Sequence, residues 1–305
     1  MRAFSMKGVV PAMVASFNED ETLNESAVRQ TVRFLVDQGV NGLYLTGSTG
    51  EMLLMTEQER NRLIELVVDE NAGRVPVVAH VGNIGTLKSI ELAKTARRIG
   101  VDGISSIAPI YWNFCEEEIY GYYRDLSEAT DLPFIVYNIA LAKLMNVNFV
   151  KRLAVLDNVC GIKYTATTHF EIGKMKRELG EDFRVYSGCD EMAASGLMNG
   201  ADGIIGSFYN LMPEVYLRIY NACREGRMEE AAREQQIADT IILKALEYNY
   251  VGIIKLGMKW MGVDAGRCRR PFRCYDAQQE EQIKRVFRNL RDQYEIRNVN
   301  FLNAI

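Results

Sequence analysis

Short runs rich in valine, isoleucine and leucine alternate along this chain with amphipathic stretches, and that alternation constrains the fold more than any other feature. The runs are GVVPAMVASF (8–17), NGLYLTGS (41–48), VPVVAHVG (75–82), DGISSIAP (102–109), LPFIVYN (132–138), VCGIKYT (159–165), FRVYSG (183–188) and DGIIGS (202–207). Most are near-continuous in apolar residues rather than alternating, as strands covered on both faces of a parallel sheet are. Helical patterns lie between them. SAVRQTVRFLVDQG (26–39) carries Val28, Val32, Leu35 and Val36 at helical spacing and stops at Gly39. Thr56 and Glu59 form the Thr-x-x-Glu signature of a capping box. Residues 86–100, 116–130 and 170–180 follow the same logic.

A phrase recurs at GVNGL (39–43), GVDGI (100–104) and GADGI (200–204): a glycine ends a helix, Asn or Asp makes the turn, and apolar residues enter the next strand. Eight strands alternating with helices over about 210 residues predict an α/β fold, a (β/α)8 TIM barrel. A doubly wound open sheet competes on pattern, although no GxGxxG opens the first helix. Beyond residue 210 the strands stop and four helical segments follow. The expected organisation is a barrel over 1–225 and a C-terminal helical extension over 226–305, packed as one structural unit.

Composition narrows the chemistry. A net charge of −4 gives no electrostatic case for nucleic acid or an anionic membrane. The start, MRAFSMKGVVPAM, has no basic segment followed by an apolar one, and no later window holds eighteen uninterrupted apolar residues, so a cytoplasmic protein is expected. Six scattered cysteines without a CxxC read as reduced thiols. With only His80 and His169, neither a histidine-based metal site nor a Ser-His-Asp triad is expected.

In a barrel, catalytic groups sit at the C-terminal ends of the strands. Those ends carry Gly47-Ser48-Thr49-Gly50-Glu51, His80, Pro109-Ile110-Tyr111, Tyr137-Asn138, Lys163 to Thr165, Ser187 to Glu191, and Gly206-Ser207. Lys163 stands inside an apolar run. A dry barrel lowers the pKa of a lysine and frees its amine to attack a carbonyl, unless the side chain snorkels out to water. Tyr137, near the end of the preceding strand, is either a proton shuttle beside that amine or a core tyrosine. GSTGE offers a small concave nest for an anion, or is a plain strand-to-helix loop. Asp190 and Glu191, adjacent on one backbone, suit hydrogen bonding to a polyol better than a glycosidase pair, and Asp190 also suits capping the following helix. GIIGS (203–207) stands where many barrels bind phosphate. GRCRRPFRC (266–274) reads as a structural loop.

In this order, GSTGE, PIYWNF, IVYN, GIKYT and GCDE…GADGIIGS resemble the N-acetylneuraminate lyase and dihydrodipicolinate synthase family of lysine-dependent aldolases, over about residues 7 to 290. The resemblance implies that Lys163 forms a Schiff base with pyruvate, and that Tyr137 shuttles protons with Ser48 or Thr49 bonded to it. Tyr111 would reach across a subunit interface. Ser48 and Thr49 would hold the pyruvate carboxylate, and Thr165, Gly188, Asp190, Glu191 and Ser207 would bind the polyhydroxy tail of a sialic acid. It implies no cofactor and no metal, small-molecule partners only (sialic acid and pyruvate), and a homotetramer. Serine in GSTGE and the segment GCDEMAASGLMNGADGIIGSFYN favour cleavage of a sialic acid, with another 2-keto-3-deoxy sugar acid as the alternative substrate. One departure is that the family's YNxP reads YNIA here, with Ala140 in place of proline and Lys143 nearby, and the arginine of the synthases is missing.

Overall fold

The structure, a computed structural model, describes residues 4–305. Eight strands run parallel: β1 (Gly8–Pro11), β2 (Leu43–Leu45), β3 (Val77–His80), β4 (Gly103–Ile107), β5 (Phe134–Ile139), β6 (Val159–Thr165), β7 (Arg184–Ser187) and β8 (Gly203–Gly206). Their order is β1-β8-β7-β6-β5-β4-β3-β2. The ends meet: Ala12 bridges Tyr44 in parallel, and the Met13 N–H donates to the Tyr44 carbonyl at 2.9 Å. The sheet is therefore a (β/α)8 barrel, and the doubly wound alternative is excluded.

The helices that return the chain are α1 (Glu25–Asp37), α2 (Glu57–Asn71), α3 (Thr86–Ile99), α4 (Glu116–Glu128), α5 (Val147–Leu153), α6 (Phe170–Leu179), α7 (Ala193–Met198) and α8 (Pro213–Arg224). Thr56 and Glu59 make both bonds of the capping box at the start of α2. The repeated phrase acquires a mechanism. Gly39, Gly100 and Gly200 take φ of +84°, +98° and +95°, which a side chain would resist. The turn residue that follows accepts a hydrogen bond from a neighbouring strand: Asn41 from Val9 N–H at 2.8 Å, Asp102 from Val77 at 2.8 Å and Asp202 from Val185 at 3.0 Å. The glycine thus ends a helix, and the Asn or Asp two residues on anchors the floor of the barrel.

The first apolar run is longer than its strand. β1 ends at Pro11, and Phe17 instead pairs antiparallel with Leu23 and Arg267. The run at 159–165, in contrast, is β6 from end to end.

Four more helices follow: α9 (Met228–Ala245), α10 (Tyr250–Trp260), α11 (Ala277–Gln293) and α12 (Asn300–Asn303). Their apolar residues join those of α8, Val9 and Ile204 in a second buried cluster beside the barrel core. The basic run before α11 is a clasp. Arg269 bonds both Glu59 oxygens and the Leu54 and Glu21 carbonyls, Arg267 meets Glu19, and Arg270 meets Glu21. Among the described residues no helix is long and apolar enough to cross a membrane.

Candidate active site

The registers of β5 and β6 set the centre. Tyr137 pairs with Lys163 directly across the parallel ladder, so both side chains point the same way, into the lumen. Their chain neighbours point outward: Tyr164 OH bonds Thr168 and Glu171 beside α6. Lys163 is only 4% exposed. Its Nζ lies over two aromatic faces, 4.2 Å from the Tyr137 ring centroid and 4.7 Å from that of Tyr44. No ion pair or hydrogen bond among the described residues reaches that nitrogen. Burial pushes its pKa down to about 8, with the nearby Asp190 carboxyl opposing the fall. A drop from 10.5 to about 8 raises the free-amine fraction at pH 7 about 300-fold, to roughly a tenth.

Burial raises the Tyr137 phenol to about 12, and the adjacent hydroxyls of Thr165 and Ser48 offset part of that rise. Apart from that phenol, neither hydroxyl has a hydrogen-bonding group beside it among the described residues, although both are buried. Two buried hydroxyls with no partner beyond the phenol thus stand in the lumen with the amine. In the GSTGE loop the Glu51 and Met52 N–H groups close the turn onto Ser48 and Gly47, leaving those of Ser48 and Thr49 without backbone partners. The Thr49 and Ser207 hydroxyls bond each other at 2.6 Å.

Asp190 follows β7, the strand next to β6. Its Oδ2 accepts the Phe208 N–H at 2.8 Å, and burial raises the carboxyl to about 7. The expectation that Asp190 caps the following helix is corrected here. Neither the turn at 190–192 nor α7 has a side-chain cap, and the carboxylate serves the loop after β8 instead. Gly206 is required there, because a Cβ would come within 2.0 Å of Asp190 Oδ1. Gly188 is held as tightly: a Cβ would come within 2.0 Å of Thr165 Oγ1 and 3.2 Å of Lys163 Cε. Glu191, next to Asp190, is exposed.

The two remaining groups of interest lie apart. Tyr111 is 76% exposed, beside an equally open Trp112, and no hydrogen bond among the described residues joins it to Tyr137. It lines a 280 Å³ cavity with Trp112, Leu141 and Lys143. The YNIA loop keeps a defined shape without its proline. The Asn138 amide bonds both N–H and carbonyl of Met145, at 2.9 and 3.0 Å, and Lys143 turns the chain at φ +61°.

Sequence reasoning missed Tyr44, His80 as a packing group, and Tyr250. Tyr44, bonded to Ser105, and His80 each meet the Tyr137 ring edge-on. His80 Nε2 accepts the Ile107 N–H and burial holds its pKa well down, so the ring is neutral and structural. Tyr250 projects from α10 toward Ser207, within electrostatic reach of Asp190 and Tyr137. Tyr44 lies two residues before Thr46 in a three-residue strand, too short for its alternation to be read. Tyr250 lies outside the barrel, where no strand end points to it.

A buried lysine without an ion pair, set against a phenol inside a closed barrel, is the geometry that amine–carbonyl chemistry uses. The chain belongs to the dihydrodipicolinate synthetase family, whose model matches residues 5–290. It is 34% identical to N-acetylneuraminate lyase of Shigella boydii over 292 residues, 94% of this chain and 98% of that protein. Among solved structures, a catalytic-lysine mutant of Ruminococcus gnavus sialic acid aldolase superposes with a TM-score of 0.90 at 31% identity, covering 95% of this chain and 97% of that one. N-acetylneuraminate lyase from Mycoplasma synoviae gives 0.86 at 33% identity, covering 94% and 98%.

Proposed function

We propose that this chain is a class I aldolase that reversibly cleaves N-acetylneuraminate to N-acetylmannosamine and pyruvate. The observation that carries the reading is Lys163 Nζ, buried without a hydrogen-bonding partner over the ring of Tyr137. The free amine attacks the keto carbon of the open-chain substrate and water leaves, giving a protonated imine. That cation draws electrons from the adjacent bond. It also stabilises a phenolate on Tyr137, whose ionisation burial otherwise opposes. Tyr137 removes the C4 hydroxyl proton, the C3–C4 bond breaks, and the aldehyde of N-acetylmannosamine departs. The enamine is reprotonated and hydrolysed, releasing pyruvate and the amine. Covalent activation and positioning supply the rate.

Ser48 and Thr49 hold the pyruvate carboxylate through their N–H groups, and the Ser48 hydroxyl bonds the phenol. Thr165, Gly188, Asp190, Glu191 and Ser207 receive the polyhydroxy tail. Tyr111 completes the proton relay of a neighbouring subunit in a homotetramer, a role supported by its exposure beside Trp112. The enzyme acts in the cytoplasm. The test is a comparison of cleavage rates on N-acetylneuraminate and 2-keto-3-deoxygluconate. A preference for the first is expected, and a preference for the second would replace the substrate assigned here.

A further inference from the structure

Helix α9 lies outside the barrel, yet one of its side chains reaches the wall of the site. Gln235 is 9% exposed and uses its whole amide. Its Oε1 accepts the Ala194 N–H at 2.9 Å, and its Nε2 donates to the Asp190 carbonyl at 3.0 Å and to Asp239 Oδ1 at 2.8 Å. The amide therefore spans the turn at 190–192, from its first residue to the second residue of α7. The Ala194 N–H is one of those that a helix start leaves without a partner. The Asp190 carbonyl receives a second, longer bond from Tyr216 OH at 3.4 Å.

The two carboxylates of this turn are held unequally. Asp190 is fixed through its side chain by the Phe208 N–H and the close approach of Gly206. No hydrogen bond or ion pair among the described residues holds the Glu191 side chain, which is exposed, so the turn's backbone is what fixes the point from which that carboxylate reaches. We infer that Gln235 is a positioning residue: by clamping the turn at 190–194 it sets Glu191, and through the backbone Asp190, for the hydroxyls of the substrate's tail. Selectivity for a long polyhydroxylated substrate thus passes through the C-terminal extension, not only through the barrel loops. This rests on the proposed function, in which Asp190 and Glu191 receive that tail.

The test is Gln235→Met, which keeps the length of the side chain and removes its hydrogen bonds, alongside Gln235→Glu, which keeps the shape and turns a donor into an acceptor facing the Asp190 carbonyl and Asp239. Two readouts are taken from each variant: steady-state cleavage of N-acetylneuraminate, and borohydride trapping of pyruvate on Lys163, which involves no tail. The expected result is a KM raised about tenfold with kcat within about threefold and trapping unchanged. A fall in kcat and trapping together at constant KM in both variants would make Gln235 a purely structural residue and overturn the inference, as would unchanged kinetics. Should Gln235→Met fail to fold, Gln235→Glu carries the same reading. A wild-type protein that traps pyruvate but does not cleave N-acetylneuraminate would instead overturn the substrate assignment.

Discussion

Two lysines of this chain are buried to the same degree, 4% each, and stand in similar apolar phrases, GIKYT in β6 and GIIKLG in α10. Lys163 faces aromatic rings in the barrel lumen with no hydrogen-bonding partner. Lys255 lies at the seam between the GSTGE loop and the C-terminal helices. It donates to Glu51 Oε1 at 2.6 Å and to the Arg267 carbonyl at 2.7 Å, while the other Glu51 oxygen accepts the Arg269 N–H at 2.8 Å. Burial alone therefore does not make a nucleophile. Where a carboxylate and a carbonyl meet the ammonium, the lysine is a tie. Where only rings and one more distant acid surround it, the proton becomes easy to lose. The tie bears on the proposed nucleophile, because Glu51, itself at φ +56°, ends the loop that carries Ser48 and Thr49.

Exchanging each lysine for methionine separates the two regions. Lys163→Met is expected to abolish both turnover and pyruvate trapping. Lys255→Met leaves the buried Glu51 carboxylate without its counter-charge, which is expected to destabilise the fold by about 3–5 kcal/mol, read as a lowered urea midpoint. Adding Glu51→Gln should restore part of that loss, and a Lys255→Met protein as stable as the wild type would break the comparison.

Stability responds in the opposite direction at the first site. Unfolded, Lys163 holds its proton up to about pH 10.5. Folded, it gives it up near 8, so the unfolded chain binds more protons between the two values and stability rises with pH across that window. Below pH 8 the penalty is fully present, on the order of 3 kcal/mol. Lys163→Met removes it, so a more stable protein is expected at pH 7, with the gain shrinking toward pH 10.5. Thermal melts at both pH values measure this.

The contrast also marks what the sequence could disclose. Lys163 was legible because β6 is one uninterrupted run with the lysine inside it, and Tyr137 because it stands near the end of the run before it. The barrel followed from eight runs and the thrice-repeated Gly-x-Asn/Asp-Gly phrase. Lys255 was not legible, since a lysine in an apolar helix reads as a snorkelling surface residue until its partner, 204 residues away, is known. Tyr250 and Gln235 were hidden for the same reason: each meets the site from a helix beyond the last strand. Asp190 was found as a candidate but given a local capping bond, whereas its real partner, Phe208, follows the next strand.

The proposed chemistry depends on a barrel that keeps Lys163 uncharged often enough to act as a nucleophile near neutral pH. Borohydride trapping of pyruvate, followed by mass on Lys163 as a function of pH, tests it most directly. Trapping is expected to rise with a midpoint near pH 8. A midpoint near 10.5, the value of an ordinary solvated lysine, or an adduct on some other residue, would contradict it.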